Sequence, residues 1–332
     1  MGAGMRVRRL LLLSFLLLPR LSQAQDLSFL AGMTDSVDTG QSSYAWQIDL
    51  RYTFADPFAL SASWINEGHF DDHHRDGFAT RLWGRLPLIE RRFVVAFGAG
   101  VYRYFDTQTR PGGSHANVHG WAPVYGLTGT WYTTTPWFAL FGINHIHPAG
   151  DIDSTQYLLG AGYRFGKEPG DRMHASPAAP GSPPPKTTGL EVMPFLGMTV
   201  HNDLESRHGL AGGVEFRKGI SRHFDGTLSW ISEDNGEEIR RDGLGSQIWF
   251  VDAFLGRRLT LGVGAGLYAF YDRFRPAGGG GDPFDVAGLL SLTTSWRFSD
   301  RWFTRINWNR VATDNDRDSD IFVLGVGYRW VE

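Results

Sequence analysis

The chain has 332 residues, with 32 Lys+Arg against 35 Asp+Glu, a formal net charge of −3 and 11 histidines. That balance excludes a nucleic-acid partner, which needs a concentrated basic face, and the absence of cysteine excludes disulfides and thiolate chemistry. Glycine at 42 residues and aromatics at 14% describe many tight turns and many large side chains, a pairing that suits strands ringed by aromatic residues.

The first element is a secretory signal peptide over residues 1–24. Arg6, Arg8 and Arg9 precede a short apolar run, and Ser22-Gln23-Ala24 supplies a small-x-small cleavage site. Cleavage after Ala24 would remove four arginines and no acid, taking the net charge from −3 to −7. No later segment holds the roughly 18–20 apolar residues of a spanning helix. Membrane residence would therefore have to come from strands.

Beyond residue 24, alternation is the dominant pattern. In "AWQIDLRYTF" (45–54), Trp46, Ile48, Leu50, Tyr52 and Phe54 share one face, while Gln47, Asp49, Arg51 and Thr53 share the other, the period of a strand. The same pattern runs through 58–65 and 157–165. In chain order, strands are expected near 27–33, 44–54, 58–65, 77–86, 93–104, 120–132, 137–146 and 155–165. Long polar connections such as "NEGHFDDHHRD" and "DTQTRPGGSHANVH" alternate with short turns such as "ADP" and "TTTP". Outer-membrane barrels show this asymmetry, with long loops outside the cell and short turns in the periplasm. The aromatic-rich faces and the Ser, Ala, Gly and Thr opposite them argue for a barrel over a sandwich, whose core would need bulk.

The unit is written twice. "WINEGHFDDHHRDG" (64–77) aligns with "WISEDNGEEIRRDG" (230–243), and "FGAGVYRYFD" (97–106) with "VGAGLYAFYD" (263–272). "LLGAGYRF" (158–165) and "VLGVGYRW" (323–330) close the two copies. The organisation is then a signal peptide (1–24), a first eight-stranded repeat (25–165), a Pro/Gly/Ser-rich linker (166–189) and a second repeat (190–332). The fold class is all-β, a transmembrane antiparallel β-barrel formed as two tandem eight-stranded barrels, with one sixteen-stranded barrel as the alternative. The linker favours two, because a continuous barrel needs only a short turn there. An eight-stranded barrel has a lumen filled by side chains, which suits inward Ser61, Ser63, Gly98, Gly100, Gly160 and Gly162. The recurring pairs Asp49-x-Arg51 and Glu215-x-Arg217 would face inward with Arg81, Arg85, Asp225 and Arg305 as a barrel-filling charge network, since unpaired charge there is costly.

Across 25–330 the chain resembles the small outer-membrane barrel families of Gram-negative bacteria, whose last strand ends in alternating aromatics as here. The fourth loop and the strand before it distantly resemble the lipid A deacylase family. That resemblance implies a His-x-Ser pair at the outer rim, aided by an acidic residue, which removes an acyl chain from lipopolysaccharide. The matching stretch is His145-Ile146-His147, with His147 where the family has serine; repeat two has Arg310-Val311-Ala312 there.

Hydrolysis needs a nucleophile, a base and an orienting group within hydrogen-bond reach. His145, His147, Asp153 and Ser154 are the candidate catalytic cluster. Seven histidines fall on the expected outer loops of repeat one: His69, His73, His74, His115, His119, His145 and His147, with Asp71, Asp72, Asp76, Asp151 and Asp153 among them. Imidazoles and carboxylates together can bind Zn²⁺ or a similar ion, and His69, Asp71, Asp72, His73 and His74 are the densest such group. Apart from a divalent cation at these loops, no cofactor is expected. In repeat two, Asp314, Asp316, Asp318 and Asp320 could share the cations that cross-bridge lipopolysaccharide. The expected location is the outer membrane. The expected partners are its lipids and lipopolysaccharide, together with the barrel-assembly machinery and periplasmic chaperones during biogenesis. The leading functional reading is a structural or surface-interaction protein; a lipid hydrolase and a sixteen-stranded pore are the alternatives.

Overall fold

The computed structural model describes residues 25–149, 151–165, 186–203, 205–236, 239–273 and 283–330. The signal peptide at 1–24 and most of the linker, 166–185, lie outside the described residues. Repeat one contributes β1 (Gln25–Ser36), β2 (Ser42–Ala55), β3 (Phe58–Phe70), β4 (His73–Leu88), β5 (Phe93–Thr109), β6 (His115–Tyr132), β7 (Trp137–Ile146) and β8 (Ser154–Phe165). Repeat two contributes β9 (Leu190–His201), β10 (His208–Gly219), β11 (Phe224–Asp234), β12 (Arg240–Phe254), β13 (Leu259–Asp272), β14 (Phe284–Arg297), β15 (Trp302–Ala312) and β16 (Ser319–Trp330).

Each repeat closes on itself. β8 returns to β1, with Leu159 opposite Ala31, and β16 returns to β9, with Leu324 opposite Leu196. The chain therefore forms two closed eight-stranded barrels, and the sixteen-stranded alternative, which would pair β8 with β9 and β16 with β1, is not this topology.

Alternation sorts the side chains as expected. Along β2, Gln47, Asp49, Arg51 and Thr53 are buried, while Trp46, Ile48, Tyr52 and Phe54 face outward. Phe29, Leu82, Phe97, Trp121 and Leu159 on the first barrel, and Leu196, Leu210, Ile248 and Leu324 on the second, are exposed, Leu159 to 73% and Leu210 to 79%. Taking one such side chain out of water is worth roughly 1.5–3 kcal/mol, so a belt of them is stable only against hydrocarbon. Aromatic pairs flank the belt at the short-turn end. Trp137 meets Tyr163 edge-on at 5.2 Å, and their counterparts Trp302 and Tyr328 do so at 5.3 Å. Closed barrels with an apolar belt and an aromatic girdle are the strand structures that span bacterial outer membranes, and both repeats have these features.

The lumens are filled. In the first barrel Asp49 accepts from Ser63 at 2.5 Å and Arg81 at 3.4 Å, and Arg81 also donates to Asn144 at 2.6 Å. Asn144 in turn donates to Gln47 at 2.8 Å and Gln156 at 2.9 Å. In the second, Glu215 accepts from Arg217 at 3.0 Å, Arg305 at 2.7 Å and Asn307 at 3.0 Å, and Arg305 reaches Glu191 at 2.5 Å. Beside each network lies a fully buried tryptophan, Trp83 or Trp249, its indole bonded to Ser61 at 2.8 Å or Thr227 at 2.9 Å, with Arg51 or Arg217 over its ring. The small inward residues anticipated from the sequence make room for these large ones. A Cβ on Gly98 would stand 2.5 Å from the Trp83 ring, and one on Gly264 equally close to Trp249.

The structure corrects one expectation. Much of the polar outer segments is strand: β3 runs to Phe70, β4 starts at His73, β5 reaches Thr109 and β6 starts at His115. His69, His73, His74, His115, His119 and His145 thus stand on strands, and only His147 of the seven lies on a loop. Backbone pairing continues beyond the apolar belt, where both faces meet polar surroundings and side-chain alternation no longer marks a strand. Gly68, at φ +70, sits in a bulge between Asn66 and His69, close against the Tyr44 carbonyl; a Cβ there would lie 2.1 Å from that oxygen.

Gly98→Ala is expected to displace Trp83 and destabilise the chain by about 1–3 kcal/mol as an overpacked core. Trp83→Ala should cost about 3–5 kcal/mol. Urea unfolding in detergent, followed by tryptophan fluorescence and heat-modifiable migration, measures both; an unshifted midpoint for both variants contradicts the filled lumen.

Candidate functional site

Polar side chains from β3, β4, β5, β8 and the β7–β8 loop converge at the outer end of the first barrel. Glu67 is fully buried and takes two parallel hydrogen bonds from Arg75, each 2.8 Å. Arg75 also donates to the Ile152 carbonyl at 2.7 Å, and the Ser154 hydroxyl donates to Glu67. Such bidentate, charge-assisted pairs are the strong ones, and this one ties two neighbouring strands to the loop that leads into β8. The Arg75 guanidinium lies over the Tyr104 ring at 5.6 Å.

Beside this pair stands a second group. His73 Nδ1 is 2.7 Å from an Asp106 carboxylate oxygen, and Asp151 lies 3.7 Å from Arg75. The ligand atoms of His73, Asp106 and Asp151 all fall within 4.8 Å of one another. His73 opens β4 at the tip of the β3–β4 hairpin, outside the apolar belt. Its hydrogen bond to Asp106 raises the imidazole above its ordinary range, against the burial that opposes charge there.

The residues singled out in the sequence are only partly brought together. Ser154 faces the lumen, fully buried on Glu67. His145 is outward, its Nδ1 3.1 Å from the hydroxyl of its cross-strand neighbour Thr155. His147 pairs with Asp153 at 2.6 Å on the exposed loop, and the Asp153 amide donates to Asp38 at 2.7 Å. His147 and Asp153 are thus in contact, while Ser154 is held by Glu67 and His145 by Thr155. Of the five residues grouped for metal binding, His73 enters the Asp106–Asp151 group. His69 and His74 stack on each other at 4.0 Å, and Asp71 exchanges hydrogen bonds of 2.6 and 2.9 Å with Gln41. Asp72 holds the hairpin turn at φ 65.

In the second barrel Asp318 is buried and caps its own loop, accepting from the Thr313 amide at 2.7 Å and the Thr313 hydroxyl at 3.0 Å. Asp320 accepts from Trp308 at 2.9 Å and Arg310 at 2.7 Å. These two acids are therefore occupied within the fold.

Sequence reasoning passed over Glu67, Arg75, Asp106 and Tyr102, the last fully buried beside Glu67 and Arg75. The duplication carried the signal: at the aligned positions repeat two has Glu233, Arg241, Tyr268 and Asp272, and Ser319 donates to Glu233 at 2.7 Å as Ser154 does to Glu67.

No family model matches the chain, and no curated protein does. Among solved structures it is similar to the N-terminal β-barrel domain of Pseudomonas aeruginosa OprF, at 13% identity over 43% of this chain and 98% of that one, with a TM-score of 0.36. It is also similar to Neisserial surface protein A, at 9% identity over 42% and 96% with a TM-score of 0.36. A third is Ail of Yersinia pestis, at 13% identity over 43% and 99% with a TM-score of 0.34.

Glu67→Ala should cost about 3–5 kcal/mol, because it leaves the Arg75 cation buried without its partner. Ser154→Ala, which removes one hydrogen bond, should cost about 1–2 kcal/mol. Denaturation midpoints of both variants check the order; equal effects would contradict the ranking of the two contacts.

Proposed function

We propose that the chain is a structural and surface-interaction protein of the outer membrane, with neither a conducting path nor catalysis of its own. The observation that carries this reading is the packing of the lumens, where Trp83 with Arg51, Arg81 and Asp49 fills the first barrel and Trp249 with Arg217, Arg305 and Glu215 fills the second. A continuous water path through either would require breaking buried ion pairs, and a buried charge stripped of its partner costs several kcal/mol.

The outer rims are where such a protein meets its surroundings. They stand at the height of lipopolysaccharide headgroups, and Asp71 and Asp72 at the β3–β4 tip are exposed acids that can share the cations bridging those headgroups. Passage through periplasmic chaperones and the barrel-assembly machinery follows from the same reading, since the apolar belt cannot fold in water.

Hydrolysis of lipid would ask Ser154 to lie on an imidazole, whereas its hydroxyl is held by Glu67. Lipid A from cells with and without the protein is therefore expected to show the same acyl count by mass spectrometry. In planar bilayers the purified chain should give no large, steady conductance step; a reproducible step from the wild-type protein would overturn the filled-lumen reading.

A further inference from the structure

The two barrels are copies, so each serves as a control for the other. Asp106 on β5 and Asp272 on β13 occupy aligned positions, as do Glu67 and Glu233, Arg75 and Arg241, and Asp151 and Asp316. The equivalence extends to contacts: Arg75 donates to the Ile152 carbonyl, and Arg241 to the carbonyl of Arg317, the residue aligned with Ile152. The copies differ at several positions around this group, and two of them bear on the charge beside Asp106. In the second barrel Asp272 is ion-paired to Arg317 and lies 3.7 Å from Arg241. In the first barrel Ile152 replaces Arg317, and His73 stands where the second has Ile239.

The exchange changes the chemistry of the rim. Both copies keep three carboxylates, but the first has one guanidinium fewer and one imidazole more. The guanidinium it keeps, Arg75, is bound through two nitrogens to Glu67 at 2.8 Å and stands farther, at 3.7 Å, from Asp151. Ile152 thus stands where Arg317 pairs with Asp272 in the second barrel, and the imidazole nitrogen of His73 is placed 2.7 Å from Asp106 instead. The side chain of Asp106 is fully buried, while those of His73 and Asp151 remain 22% and 11% exposed, so an ion has a route in from the outer face.

We propose that the first barrel binds a divalent transition-metal ion, Zn²⁺ or one of similar ligand preference, through His73, Asp106 and Asp151, and that the second barrel does not. One imidazole nitrogen and two carboxylate oxygens form a three-ligand set with a fourth position open. Calcium and magnesium, which prefer six or more oxygens, are poorly served by it. The ligand atoms lie within 4.8 Å of one another, and bond lengths near 2.0–2.2 Å around one ion are reached by closing the wider separations and slightly opening the 2.7 Å His73–Asp106 pair. Binding displaces the proton shared between His73 and Asp106 and supplies the positive charge that Arg317 gives Asp272 in the other copy.

The test is Zn²⁺ titration by calorimetry of the full-length chain, folded in detergent and stripped with a chelator. The wild type should take up one Zn²⁺ at this site. Asp151→Asn and His73→Ile should each weaken it by about tenfold or more, while His147→Ala leaves it unchanged. Ile152→Arg removes no ligand and imports the second barrel's guanidinium, so it should lower zinc affinity with heat-modifiable migration intact; this variant keeps the test decisive if a ligand substitution impairs folding. The proposal is overturned if the wild type binds no Zn²⁺, if Asp151→Asn, His73→Ile and Ile152→Arg bind as well as the wild type, or if Ca²⁺ or Mg²⁺ saturates the site and Zn²⁺ does not.

Discussion

A peptide group facing hydrocarbon has no water to bond, and each one left open costs several kcal/mol. Strands can therefore cross a membrane only when the sheet has no edge, and in this chain the return of β8 to β1 and of β16 to β9 removes both edges. Closure at eight strands then fixes the interior. A ring that narrow has room for side chains and little else, so every inward position must be filled and every inward charge must be answered. Trp83 fits because position 98 carries no Cβ, and Arg81 is admitted to the lumen because Asp49, Ser63 and Asn144 stand within reach of it.

The duplication separates what the fold requires from what one copy has altered. Glu67 with Ser154 recurs as Glu233 with Ser319, and Trp83 on Ser61 recurs as Trp249 on Thr227. These contacts hold barrels together. In the neighbourhood of Asp106 the copies part, His73 standing where the second has isoleucine and Ile152 where the second has the arginine that pairs with Asp272. Buried charge is expensive to alter without compensation, so a paired exchange around one aspartate marks that rim as chemically distinct from its twin.

Within the apolar belt the architecture was legible. A period of two over 45–54 and 157–165 told inside from outside because one face met lipid and the other a packed lumen. The repeated closing strands announced two units. Above the belt that contrast disappears, and "GHFDDHHRD" reads as loop although β3 and β4 continue through most of it. The candidate site was legible in its residue types and not in its partners. His145, His147, Asp153 and Ser154 are close in sequence, but strand parity turns Ser154 into the lumen and His145 out of it. Asp106 and His73 come from adjacent strands, and their meeting depends on the stagger between β4 and β5, which no single-strand pattern contains.

The central claim is that each repeat closes on itself, and the absence of native cysteine makes it directly measurable by paired cysteine crosslinking in the assembled protein. Self-closure predicts an efficient disulfide between Ala31→Cys on β1 and Leu159→Cys on β8, and another between Leu196→Cys on β9 and Leu324→Cys on β16, from their facing positions. Crosslinks instead from Leu159→Cys to cysteines along β9, and from Ala31→Cys to cysteines along β16, would mean one continuous sixteen-stranded sheet and would contradict it.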